Sequence, residues 1–103
     1  MTLKSTKEFN SVYRSAKSFH TKYFVIFYKP DNLKRVGFVA SKKIGNAVKR
    51  NRAKRRLRAL FVKYYDEIKP GIYIFVAKKD IININFDKLE FSFKRALQRI
   101  YKK

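Results

Sequence analysis

The sequence predicts an α+β sandwich, with helices packed on one small sheet. Three observations predict it. Apolar residues recur at helical spacing in three stretches, Phe9–Ala16, Ala53–Tyr64 and Leu89–Ile100. Between them lie three runs rich in β-branched and aromatic residues, Lys22–Tyr28, Val36–Ser41 and Ile72–Ala77. No internal repeat and no Gly/Ser/Pro-rich linker divides the 103 residues, so a single domain spans 1–103.

Each element has a local reason. Ser5 or Thr6 is placed to cap the first helix, and Glu8 sits where the helix dipole favours an acid. Phe9, Val12, Tyr13 and Ala16 then share one face. Lys22–Tyr28 is apolar on both faces, with Tyr23, Val25 and Phe27 on one and Phe24, Ile26 and Tyr28 on the other. Such a strand is either covered on both sides or carries aromatics on an open face. A further short strand fits near Phe19. After the turn signal Pro30-Asp31-Asn32, Val36–Ser41 is expected to pair with Lys22–Tyr28 as a hairpin. Asn46 is placed to cap the longest helix, which runs to Tyr65 or Ile68 and stops before Pro70-Gly71. Ile72–Ala77 is the third long strand. Asn85 caps a last helix, Phe86 to Tyr101, whose apolar face is Leu89, Phe93, Ala96, Leu97 and Ile100.

Composition narrows the function. The 27 Lys and Arg against 7 Asp and Glu give a net charge of +20. With 10 Phe, 7 Tyr and a hydrophobic fraction of 46%, the chain is no disordered basic tail. It is a folded domain under strong self-repulsion, which points to a polyanionic partner. Without cysteine there is no disulfide, thiolate metal site or Cys nucleophile. His20 is the lone histidine and reads as a surface or turn residue. No apolar run approaches the roughly 18 residues of a membrane span, and the N-terminus does not read as a secretory signal. A cytoplasmic protein with no membrane contact is expected.

The distribution of charge is more informative than its sum. From Lys42 to Arg58 there are nine basic residues and no acid, and five of the nine arginines fall between Arg50 and Arg58 in a chain that otherwise favours lysine. A solvated helix normally interleaves Glu with Lys, because like charges at i,i+4 repel. Here the repulsion is unrelieved at a helix N-terminus, where the dipole already disfavours cations. A polyphosphate relieves it. Ala53, Leu57, Leu60, Phe61 and Tyr64 form one apolar stripe at 100° per residue. Arg52, Arg55, Arg56 and Arg58 project away from it, while Arg50 and Lys54 fall at its border. Arginine retained here suits bidentate contacts to phosphates or bases. Exposed rings on the aromatic strand, with Phe9 and Tyr13, suit stacking of unpaired bases.

The run Val36-Gly37-Phe38-Val39-Ala40-Ser41-Lys42-Lys43-Ile44-Gly45-Asn46-Ala47-Val48-Lys49-Arg50-Asn51-Arg52-Ala53-Lys54-Arg55-Arg56-Leu57-Arg58 resembles the signature of the bacterial ribonuclease P protein subunit. The Arg-Asn-Arg triplet at 50–52 is specific to that family, and the resemblance covers nearly the whole chain. Departures are minor: a short N-terminus, Tyr13 where Phe is common, and the apolar Ile81-Ile82-Asn83-Ile84. The resemblance implies an αβββαβα fold similar to domain 2 of ribosomal protein S5, with a left-handed βαβ crossover through the basic helix. That hand runs against the usual rule.

The resemblance also implies partners and roles. Family members bind one catalytic RNA, which with Mg²⁺ cleaves the 5′ leader from precursor tRNA; no further protein partner is required. Carried over by position, Phe9, Tyr13 and Phe27 line a leader cleft, and Arg50 and Asn51 border it. Lys43, Arg52, Lys54, Arg55 and Arg58 contact RNA phosphates, with Lys42 and Arg56 added on charge alone. The metal chemistry belongs to the RNA, so no catalytic residue and no metal ligand is expected in the protein. Two other readings compete. A different small RNA-binding protein explains the charge but not the triplet. A protein-only nuclease needs clustered acids, and the seven here are scattered, with only Asp66-Glu67 adjacent.

Overall fold

In a computed structural model, which describes residues 6–102, the chain runs α1 (Thr6–Ser15), β1 (Lys17–His20), β2 (Phe24–Lys29), β3 (Lys34–Val39), α2 (Ala47–Lys63), β4 (Gly71–Ala77) and α3 (Phe86–Tyr101). This is the expected αβββαβα order. Single 3₁₀ turns at Lys42–Ile44 and Lys79–Ile81 lie within the β3–α2 and β4–α3 connections. The cap expected from Ser5 or from the Thr6 side chain lies outside the described residues.

The four strands form one mixed sheet in the order β1-β2-β4-β3. This corrects the expected hairpin: β2 pairs antiparallel with β1 and β4, while β3 pairs only with β4, in parallel. The most apolar strand takes the centre. Gly71 through Phe75 are all buried, so β4 needs a strand on each side to satisfy its backbone. The 30–33 connection therefore steps over the start of β4 instead of folding back, and the Leu33 carbonyl accepts a hydrogen bond from the Gly71 N–H at 3.0 Å. Gly71 has φ +156°, and a Cβ there would come within 2.6 Å of the Tyr28 ring and 3.2 Å of the Lys29 carbonyl. Only glycine fits against the end of β2 in this conformation.

Alternation along the strands makes two cores. Phe24, Ile26, Val36, Tyr73, Phe75 and Ala77 face α2 and α3, which contribute Ala53, Leu57, Leu60, Phe61, Leu89, Phe93, Ala96 and Leu97. On the other side, Ile72 and Ile74 pack on Val12 of α1. β2 is thus covered on one side and only partly on the other. The caps read from the sequence are present: the Asn46 side-chain oxygen accepts from the Lys49 N–H at 3.0 Å, and that of Asn85 from the Asp87 N–H at 2.7 Å. α2 ends at Lys63, short of Tyr65, and a run of turns brings Ile68 back into the main core.

Candidate nucleic-acid interface

α1 crosses its side of the sheet near the start of β4, held by Val12 in the smaller core and by an ion pair between Glu8 and Arg35 of β3. Its helical spacing places Phe9 and Tyr13 in line, with ring centroids 6.4 Å apart. Tyr13 in turn meets the edge of Phe27 from β2 at 4.8 Å. The three aromatics predicted as a group are therefore one cluster. It is open to solvent: Phe9 and Phe27 are half-buried and Tyr13 is 36% exposed. Partial burial raises the Tyr13 phenol above its ordinary pKa.

Beyond α1, the pairing register lays His20, Val25, Val76 and Val39 in one row across all four strands on the same side as Phe27. Val76 and Val39 are only half-buried. The row runs toward the connection that enters α2. The sequence did not reveal this row, because register follows from which strands pair and not from any single strand's pattern.

That connection is shaped for a tight entry. Ile44 is buried in the main core, and the Ser41 hydroxyl accepts from the Lys43 N–H at 3.3 Å. Gly45 adopts φ +141°, a conformation that strains any residue with a Cβ. Arg50 folds back over this turn and donates from Nη1 to the Gly45 carbonyl at 2.8 Å, which puts its guanidinium beside the β3–α2 connection. Lys42, Lys43, Asn51, Arg52, Arg55 and Arg58 are exposed and Lys54 half-buried. Asn51, Lys54, Arg55 and Arg58 line a shallow depression on the outer face of α2 together with Val48, which is 72% exposed. The Arg58 guanidinium lies 5.4 Å from the Phe38 ring centroid.

Arg56 departs from the sequence reading. It does not project away from the protein. Its Nη1 donates to the carbonyls of Ile81 at 2.6 Å and Ile82 at 3.0 Å, and its Nη2 to that of Ile84 at 2.5 Å. The guanidinium also stands 5.8 Å from the Phe86 ring centroid. Arg56 lies three residues after buried Ala53 and four before buried Leu60, at the flank of the apolar stripe. There it meets the β4–α3 connection. Burial, and secondarily the charge of Arg52, lowers its pKa from the ordinary arginine value.

The side chains present do not fit a metal centre: among the described residues no three His, Asp or Glu side chains come together. Among the same residues, no helix is long and apolar enough to cross a membrane.

Comparison with known proteins identifies the family. A family model, Ribonuclease P, matches residues 1–101. A ribonuclease P protein component from a Nitratiruptor species is 50% identical over 99 residues, covering 96% of this chain and 91% of that one. One from Listeria welshimeri is 39% identical over 92 residues, covering 85% and 77%. The solved RNase P protein of Staphylococcus aureus superposes with a TM-score of 0.88 at 25% identity, over 97% of this chain and 94% of that one. Matched along nearly its whole length, with the Arg-Asn-Arg helix and the aromatic sheet side both in place, the chain belongs to the ribonuclease P protein family.

Proposed function

We propose that this chain is the protein subunit of a bacterial ribonuclease P, binding the catalytic RNA and the unpaired 5′ leader of precursor tRNA in the cytoplasm. The observation that carries the reading is the Phe9–Tyr13–Phe27 cluster on a sheet side that α1 leaves partly open. Its row of valines runs toward an acid-free basic helix. Rings on an open sheet accept bases of any sequence, because every base has a π-face. A subunit that serves many precursor tRNAs needs that tolerance.

The roles divide by chemistry. Phe9, Tyr13 and Phe27 stack leader bases, with the Tyr13 O–H available to a phosphate or base acceptor. Arg50, held at the turn by its bond to the Gly45 carbonyl, borders this track with Asn51. Lys43, Arg52, Lys54, Arg55 and Arg58 face the phosphates of the catalytic RNA, joined by Lys42 on the ground of charge, while Arg56 is engaged by the β4–α3 connection. Mg²⁺ is held by the RNA, which carries the cleavage chemistry. The protein's contribution is to bind and orient the leader and to offset phosphate charge.

Phe27→Ala tests the leader assignment. In the reconstituted holoenzyme it weakens affinity for leader-bearing precursor about tenfold, by the magnitude of one lost base stack. Affinity for mature tRNA is unchanged. An equal loss for both ligands in a binding titration contradicts the assignment.

A further inference from the structure

We infer that the groove between α3 and the β1–β2 turn is a second contact site for the 5′ leader, taking upstream nucleotides that have passed the edge of β1; this rests on the leader reading above. The groove is lined by His20 at the end of β1, by Lys22 from the turn and by Phe91, Ser92, Arg95 and Arg99 from α3, and no carboxylate among the described residues lines it. Phe91 is 62% exposed, although α3 has a complete apolar face without it. The Arg95 guanidinium stands 5.7 Å from the Phe91 ring centroid, and Arg99 stands 5.8 Å from that of Phe19. Arg99 also donates from Nη1 to the His20 carbonyl at 3.2 Å, which ties the helix to the end of β1.

The helix dipole accounts for a cation in the last turn, such as Arg99. It does not account for a large ring left in solvent beside an arginine that has no carboxylate partner among the described residues. That pair, a π-face next to a guanidinium, is the combination that holds an unpaired nucleotide by stacking and by its phosphate. Exposed Lys88 and Lys102 extend the same stripe toward either end of α3. A duplex presents no free base faces, so Phe91 selects single-stranded RNA.

Continuity selects the leader as the occupant. The valine row on the α1 side ends at His20 on the edge strand β1, and His20 also lines the groove on the α3 side. A strand following the row off the sheet passes the Thr21–Tyr23 turn and meets Lys22, Phe91 and Arg95 next. Four strands at about 4.8 Å spacing are crossed within a few nucleotides, so only longer leaders reach the groove.

The test uses holoenzyme reconstituted from this protein and a bacterial ribonuclease P RNA. Precursor tRNAs with leaders of about 4 and about 12 nucleotides, within the range of single-strand site sizes, are titrated alongside mature tRNA. The double variant Phe91→Ala, Arg95→Ala loses about tenfold affinity for the long leader and none for the short one. Phe27→Ala weakens both. The substituted side chains lie at the surface, and circular dichroism and affinity for the catalytic RNA confirm that the variant folds and assembles. Wild-type affinity of the double variant for the long leader overturns the inference while Phe27→Ala still reports on the leader cleft. A loss that is equal for long leader, short leader and mature tRNA assigns the groove to the catalytic RNA and also overturns it.

Discussion

Arg52 and Arg56 stand four positions apart on α2, yet one guanidinium is exposed and the other is bonded to three carbonyls of the β4–α3 connection. Their substitutions separate accordingly. Arg52→Ala weakens binding to the catalytic RNA and lowers the slope of log affinity against log salt by about one, as for a lost phosphate contact. Arg56→Met changes that slope less, but leaves three carbonyls without their donor and costs about 1–3 kcal/mol of stability. Thermal denaturation beside a salt titration checks both. A slope change for Arg56→Met as large as for Arg52→Ala contradicts the division. The sequence showed a run of arginines and could not show this split, because the partners of Arg56 are backbone carbonyls 25 to 28 residues away. The caps at Asn46 and Asn85, whose partners are two or three residues away, were legible at once.

Helices were legible as elements because each carries its own apolar period, and α3 has the predicted bounds, 86–101. Strand pairing was not. β2 and β3 look like a hairpin in sequence, and only the need of the doubly buried β4 for two neighbours separates them. The α2–α3 contact is equally invisible in sequence, since its polar link joins residues far apart. Glu90 accepts from Lys63 Nζ at 2.6 Å and from the Tyr64 hydroxyl. Lys63 first, and Tyr64 second, hold the Glu90 carboxyl below its ordinary pKa. A lowered carboxylate contributes stability above its unfolded value, about 4.3, and loses it as pH falls through the lower folded value. Glu90→Gln therefore melts below wild type at neutral pH, and the gap closes as pH falls below about 4. A gap that stays constant from pH 7 to pH 3 would rule out an ionised link between α2 and α3.

At the scale of the whole molecule, the charge of +20 falls into separate parts. The signature helix concentrates five arginines at the end of the sheet where β3 enters α2. The basic lining of the α3 groove is not legible in the sequence, because Lys22, Arg95 and Arg99 form no run; folding brings the turn beside the helix. The aromatic cluster joins α1 to β2, and in the sequence only family likeness links its three rings, since no spacing rule connects Phe27 to Tyr13. On the proposed function, these surfaces describe a protein that binds RNA on the α1 side of its sheet and along α2, and among the described residues no three His, Asp or Glu side chains come together. Cleavage of precursor tRNA by a bacterial ribonuclease P RNA, measured at low Mg²⁺ with and without this protein, tests that description most directly. Added protein restores removal of the 5′ leader at Mg²⁺ levels where the RNA alone is slow, and protein without RNA cleaves nothing. Unchanged cleavage on adding the protein, or cleavage by the protein alone, would contradict it.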